Sequence, residues 1–513
     1  MGKIQFRHFR AHMPWPPAAI CALLLLGAAV CAPALAQDGS FDPGFAQGGR
    51  KLFDVSNGLD DTGTEMHLLP DGKILMAGTC DKMAVDAVDK DGNPVSDRLP
   101  FFCVARLLPD GTFDPSFGPG GVGYLSFHPF GGPDPDDATS PFAASLIDMA
   151  LLPDERIVLV GSSPFGFHAS HSVAVAVLRA DGSALDPAVA DGVGAYYQTL
   201  PNGFSVSSIA SQRDGKLLLA GTATGPTANL DMAVARLDAD FSGLDQTFGD
   251  GGIVTVTFDL GGPTGANADF ANSVIEQEDG RLVVVGGAYT CTCSDGLPPL
   301  YEHAAIAHLL PDGTRDPAFG PAHDGRVDFT IADINGLFRA AIDRRGRIVV
   351  VGAVANASVS VTNWLIARLM PDGSFDPTFH GGAPLVRPLR ATGPTDVNNN
   401  IALDVALEAG GSMFIGGTEG RTYTAAPPSY TTYFGVLHLL PDGTADPAFG
   451  GYGSSYGDFG SGEGYSSVLT DIAIGNGGLM VGGYGQQSAG AKKQFGIARL
   501  QYGLIFRDGF ESP

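Results

Sequence analysis

Residues 343–380 read DRRGRIVVVGAVANASVSVTNWLIARLMPDGSFDPTFH. Four phrases follow one another. Arg347 to Gly352 is a short apolar run, rich in β-branched residues and closed by glycine. Leu365 to Leu369 is a second apolar run that carries Arg368. Pro371-Asp372-Gly373 is a turn, because proline presets φ and glycine takes the φ > 0 position. Asp376-Pro377-Thr378-Phe379 is a tail. Runs this short between Pro-Asp-Gly signals are strands, and no helical period competes with them.

The same order recurs along the chain. The glycine-closed run is KILMAG at 73–78, RIVLVG at 156–161, KLLLAG at 216–221, RLVVVG at 281–286, SMFIGG at 412–417 and LMVGG at 479–483. The Arg or His strand is CVARL at 103–107, MAVARL at 232–237, AIAHL at 305–309, GVLHL at 435–439 and GIARL at 496–500, with VAVAVL at 173–178 in the second copy. The turn is LLPDG at 68–72, 107–111, 309–313 and 439–443; the tail is DPSFG at 114–118 and DPAFG at 316–320 and 446–450. Gly78, Gly161, Gly221, Gly286, Gly352, Gly416 and Gly482 are spaced by 83, 60, 65, 66, 64 and 66 residues. A strand after a glycine pair, as in GGVGYLSF at 120–127 and GGIVTVTF at 251–258, makes four strands per copy. Seven four-stranded antiparallel units predict an all-β, seven-bladed propeller over 37–505. Taking the Gly-pair strand as the first of each unit places the blades at about 47–113, 114–185, 186–244, 245–315, 316–375, 376–445 and 446–500.

The order DG[KR]IVVAG, then ARL, PDG and DPxFG, resembles the delta-60 repeat family of bacterial secreted proteins. The resemblance implies a propeller and an exported bacterial chain, and it implies no activity. Glu155 replaces the turn glycine in the second copy, and Val189 replaces its tail Phe. The seventh copy lacks the tail phrase. Phe41-Asp42-Pro43-Gly44-Phe45 near the N-terminus matches it, so 40–46 is expected beside the last blade with Asp42 near Arg499.

Composition agrees with a large apolar core. The 513 residues are 44% hydrophobic and 17% charged, with 72 Gly and 36 Pro. The formal net charge is -25, which disfavours nucleic acid and anionic membranes. Residues 1–36 read as a secretory signal peptide: Lys3, Arg7 and Arg10 precede the apolar run Ala18 to Val30, and Ala34-Leu35-Ala36 gives a cleavage site. No later apolar run is long enough to span a membrane. The expected location is periplasmic, cell-surface or extracellular. IFRDGFESP at 505–513 resembles a tail of exported proteins, which implies a sorting role; a terminal strand is the other reading, and 506–513 is set apart as a tail.

Cys80 and Cys103 fall on neighbouring strands of one hairpin and are the disulfide candidates. Cys291 and Cys293 form C-x-C with only His303 nearby, too few ligands for zinc.

Charged side chains recur from copy to copy. Arg106 with Asp114, Arg236 with Asp245, Arg368 with Asp376 and Arg499 with Asp42 form a recurring pair; His308 with Asp316 and His438 with Asp446 replace it twice, and Asp186 stands in the second copy. A bidentate Arg clamp on carboxylate explains the pairing. Repetition assigns it to structure, because a catalytic site is needed once. Asp134, Asp136 and Asp137 are weak calcium candidates, lacking the ordered spacing of a calcium loop. His168 and His171 belong to a polar loop. Gly453 to Gly457 fits G-x-S-x-G without the helix that a nucleophile elbow requires. No organic cofactor is expected.

The leading functional reading is a monomeric, non-enzymatic binding or scaffold module for a protein or glycan ligand. A hydrolase or lyase on carbohydrate or peptide is the alternative, and a surface or matrix structural protein is the third. Connections that vary between copies (79–100, 128–143, 162–172, 287–303, 386–400 and 418–432) share one face, opposite the uniform Pro-Asp-Gly turns. That variable face is where a ligand is expected.

Overall fold

The computed structural model describes residues 38–83, 98–127, 145–162, 172–225, 229–260, 268–291, 300–356, 361–389, 398–423, 429–450, 452–460, 466–475, 477–487 and 491–503. Asp134, Asp136, Asp137, His168, His171, Cys293, residues 1–36 and the 506–513 tail lie outside them, as does the Cys291 side chain.

Seven four-stranded antiparallel sheets form the blades of a β-propeller. Blade 1 is Asp61–Leu68, Ile74–Met83, Arg98–Leu107 and Tyr124–Phe127. Blade 2 is Ser145–Leu151, Ile157–Ser162, Ser172–Leu178 and Ala195–Thr199; blade 3 is Ser205–Ser211, Leu217–Thr224, Leu230–Leu237 and Ile253–Val256. Blade 4 is Asp269–Glu276, Leu282–Cys291, Leu300–Leu309 and Arg326–Phe329; blade 5 is Ile334–Ile342, Ile348–Ala355, Thr362–Leu369 and Leu385–Arg387. Blade 6 is Asn398–Leu407, Met413–Tyr423, Ser429–Leu439 and Ser454–Gly457. Blade 7 takes Ser467–Gly475, Gly478–Gln486 and Lys493–Leu500 from the C-terminal part and Arg50–Phe53 from the N-terminal part.

The blade borders differ from the sequence expectation by one strand. The strand after each glycine pair is the outer, fourth strand of the preceding blade, not the first of its own unit. The Asp-Pro-x-Phe tail turns the chain straight back along the Arg strand, so the next strand pairs with it.

Both middle strands are buried on both faces, which is why they read as unbroken apolar runs. Ile348 and Val350 pack towards blade 4, while Val349 and Val351 pack towards blade 6. Each of the seven apolar clusters among the described residues fills one seam between adjacent blades. Cys80 and Cys103 are joined by a disulfide, with Cα atoms 5.9 Å apart, in the seam of blades 7 and 1.

The tail phrase pins neighbouring blades. Arg106 Nε donates to Asp114 Oδ2 at 2.8 Å, and Arg106 Nη1 donates to the Ala180 carbonyl of blade 2. Its guanidinium lies 4.6 Å from the Phe117 ring centre. Arg236 with Asp245 and Arg368 with Asp376 repeat the pair at 2.7 and 2.8 Å. His308 and His438 replace Arg against Asp316 and Asp446, at 3.0 and 3.1 Å. Blade 2 has Val177 in that place, and Asp186 is met at 2.9 Å by Arg156, just before the second strand, the position from which Lys216 and Arg347 also reach Asp245 and Asp376.

The ring closes by the same device. Arg499 Nε donates to Asp42 Oδ2 at 2.6 Å, Phe41 bridges Leu500, and Arg50–Phe53 completes the seventh sheet. Deleting 38–53 therefore removes a strand, an ion pair and the buried Phe45 together. The expected result is a thermal midpoint lower by about 10 °C or more, and self-association through the exposed Lys493–Leu500 edge. Differential scanning calorimetry with light scattering checks both.

Candidate functional site

The repeat glycine shapes the channel. In every blade the inner strand carries a β-bulge opposite that glycine. A Cβ on Gly78, Gly161, Gly221, Gly286, Gly352, Gly417 or Gly483 would collide with an inner-strand carbonyl oxygen. The glycines doing this in blades 6 and 7 are thus Gly417 and Gly483, not the adjacent Gly416 and Gly482. Bulges redirect a side chain and leave one residue unpaired. Here the unpaired residues are Thr64, Ile147, Ser207, Asn272, Phe338, Leu403 and Thr470, one per blade. They line a central cavity of about 260 Å³ together with Glu65, Asp148 and Arg339.

The residue after each bulge is Glu65, Asp148, Ser208, Ser273, Arg339, Asp404 or Asp471. Arg339 Nη2 donates to Glu65 Oε2 at 2.8 Å, joining blades 5 and 1 across the channel. Arg339 Nε lies 3.7 Å from Asp404 Oδ1. Three carboxylates also latch the next blade by accepting a backbone N–H. Asp148 accepts from Ile209, Asp404 from Ile472 and Asp471 from Met66, at 2.8, 2.8 and 3.1 Å.

Four carboxylates thus surround one guanidinium, and the balance of burial against the Arg339 charge divides their protonation. Glu65 attracts Arg339 most strongly, and Arg339 is held well above the ordinary arginine value. Burial alone raises the Glu65 carboxyl, but Arg339, His67 and a hydrogen bond from Asp471 outweigh it and hold it low. Burial and the Glu65 charge push Asp148 up to about 7. The same two causes, with Asp404, push Asp471 well above the carboxylate range. An ionised carboxylate therefore sits beside carboxyls that keep their protons near neutrality. A cleft of about 880 Å³ leads from Glu65, Asp404 and Asp471 past His67 to the uniform turn face, between blades 7 and 1.

None of these channel residues was singled out in the sequence. A signal exists: Glu65, Asp148, Ser208, Ser273, Arg339 and Asp404 each stand thirteen residues before the repeat glycine of their blade, and Asp471 twelve. The recurring Arg–Asp pairs lie on the turn face as blade pins and do not converge on the channel. Ser454–Gly457, from the G-x-S-x-G match, is the outer strand of blade 6, and Ser455 Oγ donates to the Gly39 carbonyl. Among the described residues no three His, Cys, Asp or Glu side chains converge as metal ligands.

Three segments, 100–117, 212–243 and 346–379, match the model of a β-propeller domain of unknown function, DUF5122. No curated protein matches the sequence. Solved structures with a similar fold include the polysaccharide lyase Uly1, at 12% identity and a TM-score of 0.41 over 91% of this chain and 98% of that one. A glucose dehydrogenase aligns at 13% identity and a TM-score of 0.35 over 70% and 96%. Drosophila Plexin A, in complex with Semaphorin 1b, aligns at 10% and 0.36 over 86% and 88%. The chain is a β-propeller repeat protein.

Two outcomes follow from the channel. Arg339→Met leaves buried carboxylates without their cation and is expected to cost about 3–5 kcal/mol in urea unfolding. Adding Glu65→Gln recovers part of that loss; a double variant no better than Arg339→Met contradicts the pairing. The second outcome concerns pH. Asp61, Asp148, Asp269 and Glu302 are all raised to about 7, chiefly by burial. Each binds its proton more tightly folded than unfolded. Its stabilisation is complete below the unfolded value and is lost as pH rises through the folded one. Asp114 and Asp376 run the other way. Burial opposes their ionisation, but hydrogen bonds from Ser116 and Thr378 and the paired arginines hold both at about 2. Their contribution is lost only as pH falls through that value. The thermal midpoint is expected to peak at about pH 4–5 and to fall towards pH 8. Asp148→Asn, whose amide oxygen still accepts from Ile209, flattens that fall; an unchanged slope removes Asp148 from the explanation.

Proposed function

We propose that the chain is an exported binding module that holds a polar ligand, a glycan or a protein segment, over the central channel. The observation that supports this most is the inequality of the two faces. The turn face repeats one Pro-Asp-Gly design tied down by Arg–Asp pins. Connections on the other face range from Thr224–Leu230 and Phe329–Ile334 to Met83–Arg98 and Phe127–Ser145, with no shared sequence. Loops without packing duties on a rigid ring are free to carry recognition. The central channel mixes charged, polar and apolar side chains, and its lining differs from blade to blade. Residues 1–36 act as the signal peptide in this reading. No helix among the described residues is long and apolar enough to cross a membrane.

A second reading is a hydrolase or lyase that uses the channel. Its support is the ionised Glu65 beside the protonated Asp148, an acceptor and a donor within one cavity.

Glycan and peptide arrays probed with the purified chain separate the two. A binding module gives a saturable, product-free complex. Replacing 424–428, between the second and third strands of blade 6, by a short Gly/Ser turn is expected to weaken that complex at least tenfold without lowering the thermal midpoint. Release of cleaved product, abolished by Glu65→Gln, favours the enzyme instead.

A further inference from the structure

The seam of blades 4 and 5 holds an unanswered carboxylate at the end opposite the Pro-Asp-Gly turns. Glu302, in the third strand of blade 4, is 7% exposed. A Cβ on Gly287 would meet Glu302 Oε1 and Phe270 Cζ, each at 2.6 Å. A Cβ on Gly336, in the inner strand of blade 5, would meet the same oxygen at 3.0 Å and the Phe338 ring at 3.7 Å. Oε1 is thus lodged between two glycine backbones, with Phe270 and Phe338 beside it. Tyr289 pairs with Glu302 across the strands, so the two share a face. The half-buried Tyr289 and Phe270 rings have centres 5.3 Å apart. Phe338 also lines the central cavity, which places the carboxylate beside the channel.

Among the described residues no donor reaches this carboxylate. The Glu302 N–H donates to the Asp333 carbonyl, and its own carbonyl accepts from Asn335 Nδ2, but both bonds are made by the backbone of Glu302. His303 turns to the opposite face of the sheet, where Asp328 meets it at 2.9 Å. Arg339 is committed to Glu65. Residues 249–280, 282–314 and 327–338 contain no Lys or Arg. Burial raises the Glu302 carboxyl, and no cation acts against it.

The repeat does not ask for these residues. The strand register puts Pro100, Leu230, Thr362, Thr432 and Lys493 where blade 4 has Glu302. No other blade has an aromatic residue at the register position of Phe270. Two blades show what this end of a sheet accommodates. Lys82 Nζ lies 5.0 Å from the Phe101 ring centre in blade 1, and Lys493 Nζ lies 5.4 Å from that of Tyr484 in blade 7. Blade 4 has the rings and a counter-charge without the lysine.

We propose that Phe270, Tyr289 and Glu302 receive the ammonium group of a lysine side chain presented by a partner protein. This rests on the binding-module reading above and narrows its ligand to a basic protein segment. Aromatic faces attract a cation, and more strongly where water is partly excluded. With Oε1 lodged between glycines, Oε2 is left for the ligand. A compact ammonium suits a single acceptor oxygen, whereas a guanidinium is matched by two side by side. The net charge of -25 draws basic segments towards the chain.

The test is isothermal titration of the full chain with N-acetylated tetralysine amide at physiological salt. Tetralysine with every side-chain amine acetylated is the control, and tetra-arginine is the competitor. Saturable binding of the lysine peptide is expected, with weaker binding of tetra-arginine and none of the acetylated peptide. Glu302→Gln should lower the affinity at least about tenfold, and Tyr289→Leu about threefold. Glu302→Gln removes a buried charge, so its thermal midpoint at pH 8 should not fall and lost binding is not lost fold. Asp279→Asn, at an exposed turn of the same blade, should leave the affinity unchanged. The proposal is overturned if tetralysine does not bind, if Glu302→Gln binds it as tightly as the wild type, or if tetra-arginine or the acetylated peptide binds as well. Saturable binding of a neutral glycan, indifferent to Glu302→Gln, keeps the binding-module reading and removes this inference. Cleavage of a lysine peptide whose binding needs Glu302 keeps the ammonium site and removes the binding-module reading.

Discussion

One missing atom per blade organises the molecule. Where each inner strand bulges, a carbonyl oxygen occupies the space a Cβ would fill on the facing second strand. Only glycine tolerates that approach. The bulge gives the inner strand its kink and turns one extra residue into the lumen. Channel lining and strand pairing are two results of the same contact. A side chain at Gly352 would have to move the Gly336 carbonyl, and with it Phe338 and Arg339.

A second constraint works at the opposite end of the blades. The tail aspartate accepts an Arg or His from its own blade, and in blades 1, 3 and 7 that Arg also donates to the next blade's turn. The tail phenylalanines pack against the turn glycine of the neighbour, as Phe117 does on Gly182 and Phe248 on Gly313. Apolar burial supplies most of the stabilisation in each seam. The pins set the angle and register at which that burial occurs. Since a ring has as many seams as blades, the last must be closed by the first, and the chain uses its N-terminal segment for this.

Against this regular background the departures stand out. Blades 1, 2, 5, 6 and 7 place charged residues after the bulge, while blades 3 and 4 place serines. Three buried carboxylates and a partly buried fourth around one arginine are not what stability alone selects, because a hydrophobic ring would avoid their desolvation. Three of them offset that cost by latching neighbouring backbone, yet Glu65 and Arg339 spend their hydrogen bond on each other across open space.

Much of the architecture was legible in the linear order of residues, because it is written seven times. Glycine-closed runs, Pro-Asp-Gly turns and the orphan Asp42-Pro43 phrase are local signals with local causes, and repetition separates them from chance. They carried the number of blades, the strands per blade, the two unlike faces and the partner of Arg499. Strand phase was not legible: a strand between two others can pair with either, and only the packed hairpins chose. The channel cluster was hidden for a related reason. Glu65, Asp148, Arg339, Asp404 and Asp471 each look like one polar residue in an unremarkable strand, up to 406 positions apart in the chain. Closure of the ring brings them onto one axis, and the Arg339 charge set against burial there, not residue type, decides which carboxyl is ionised and which keeps its proton.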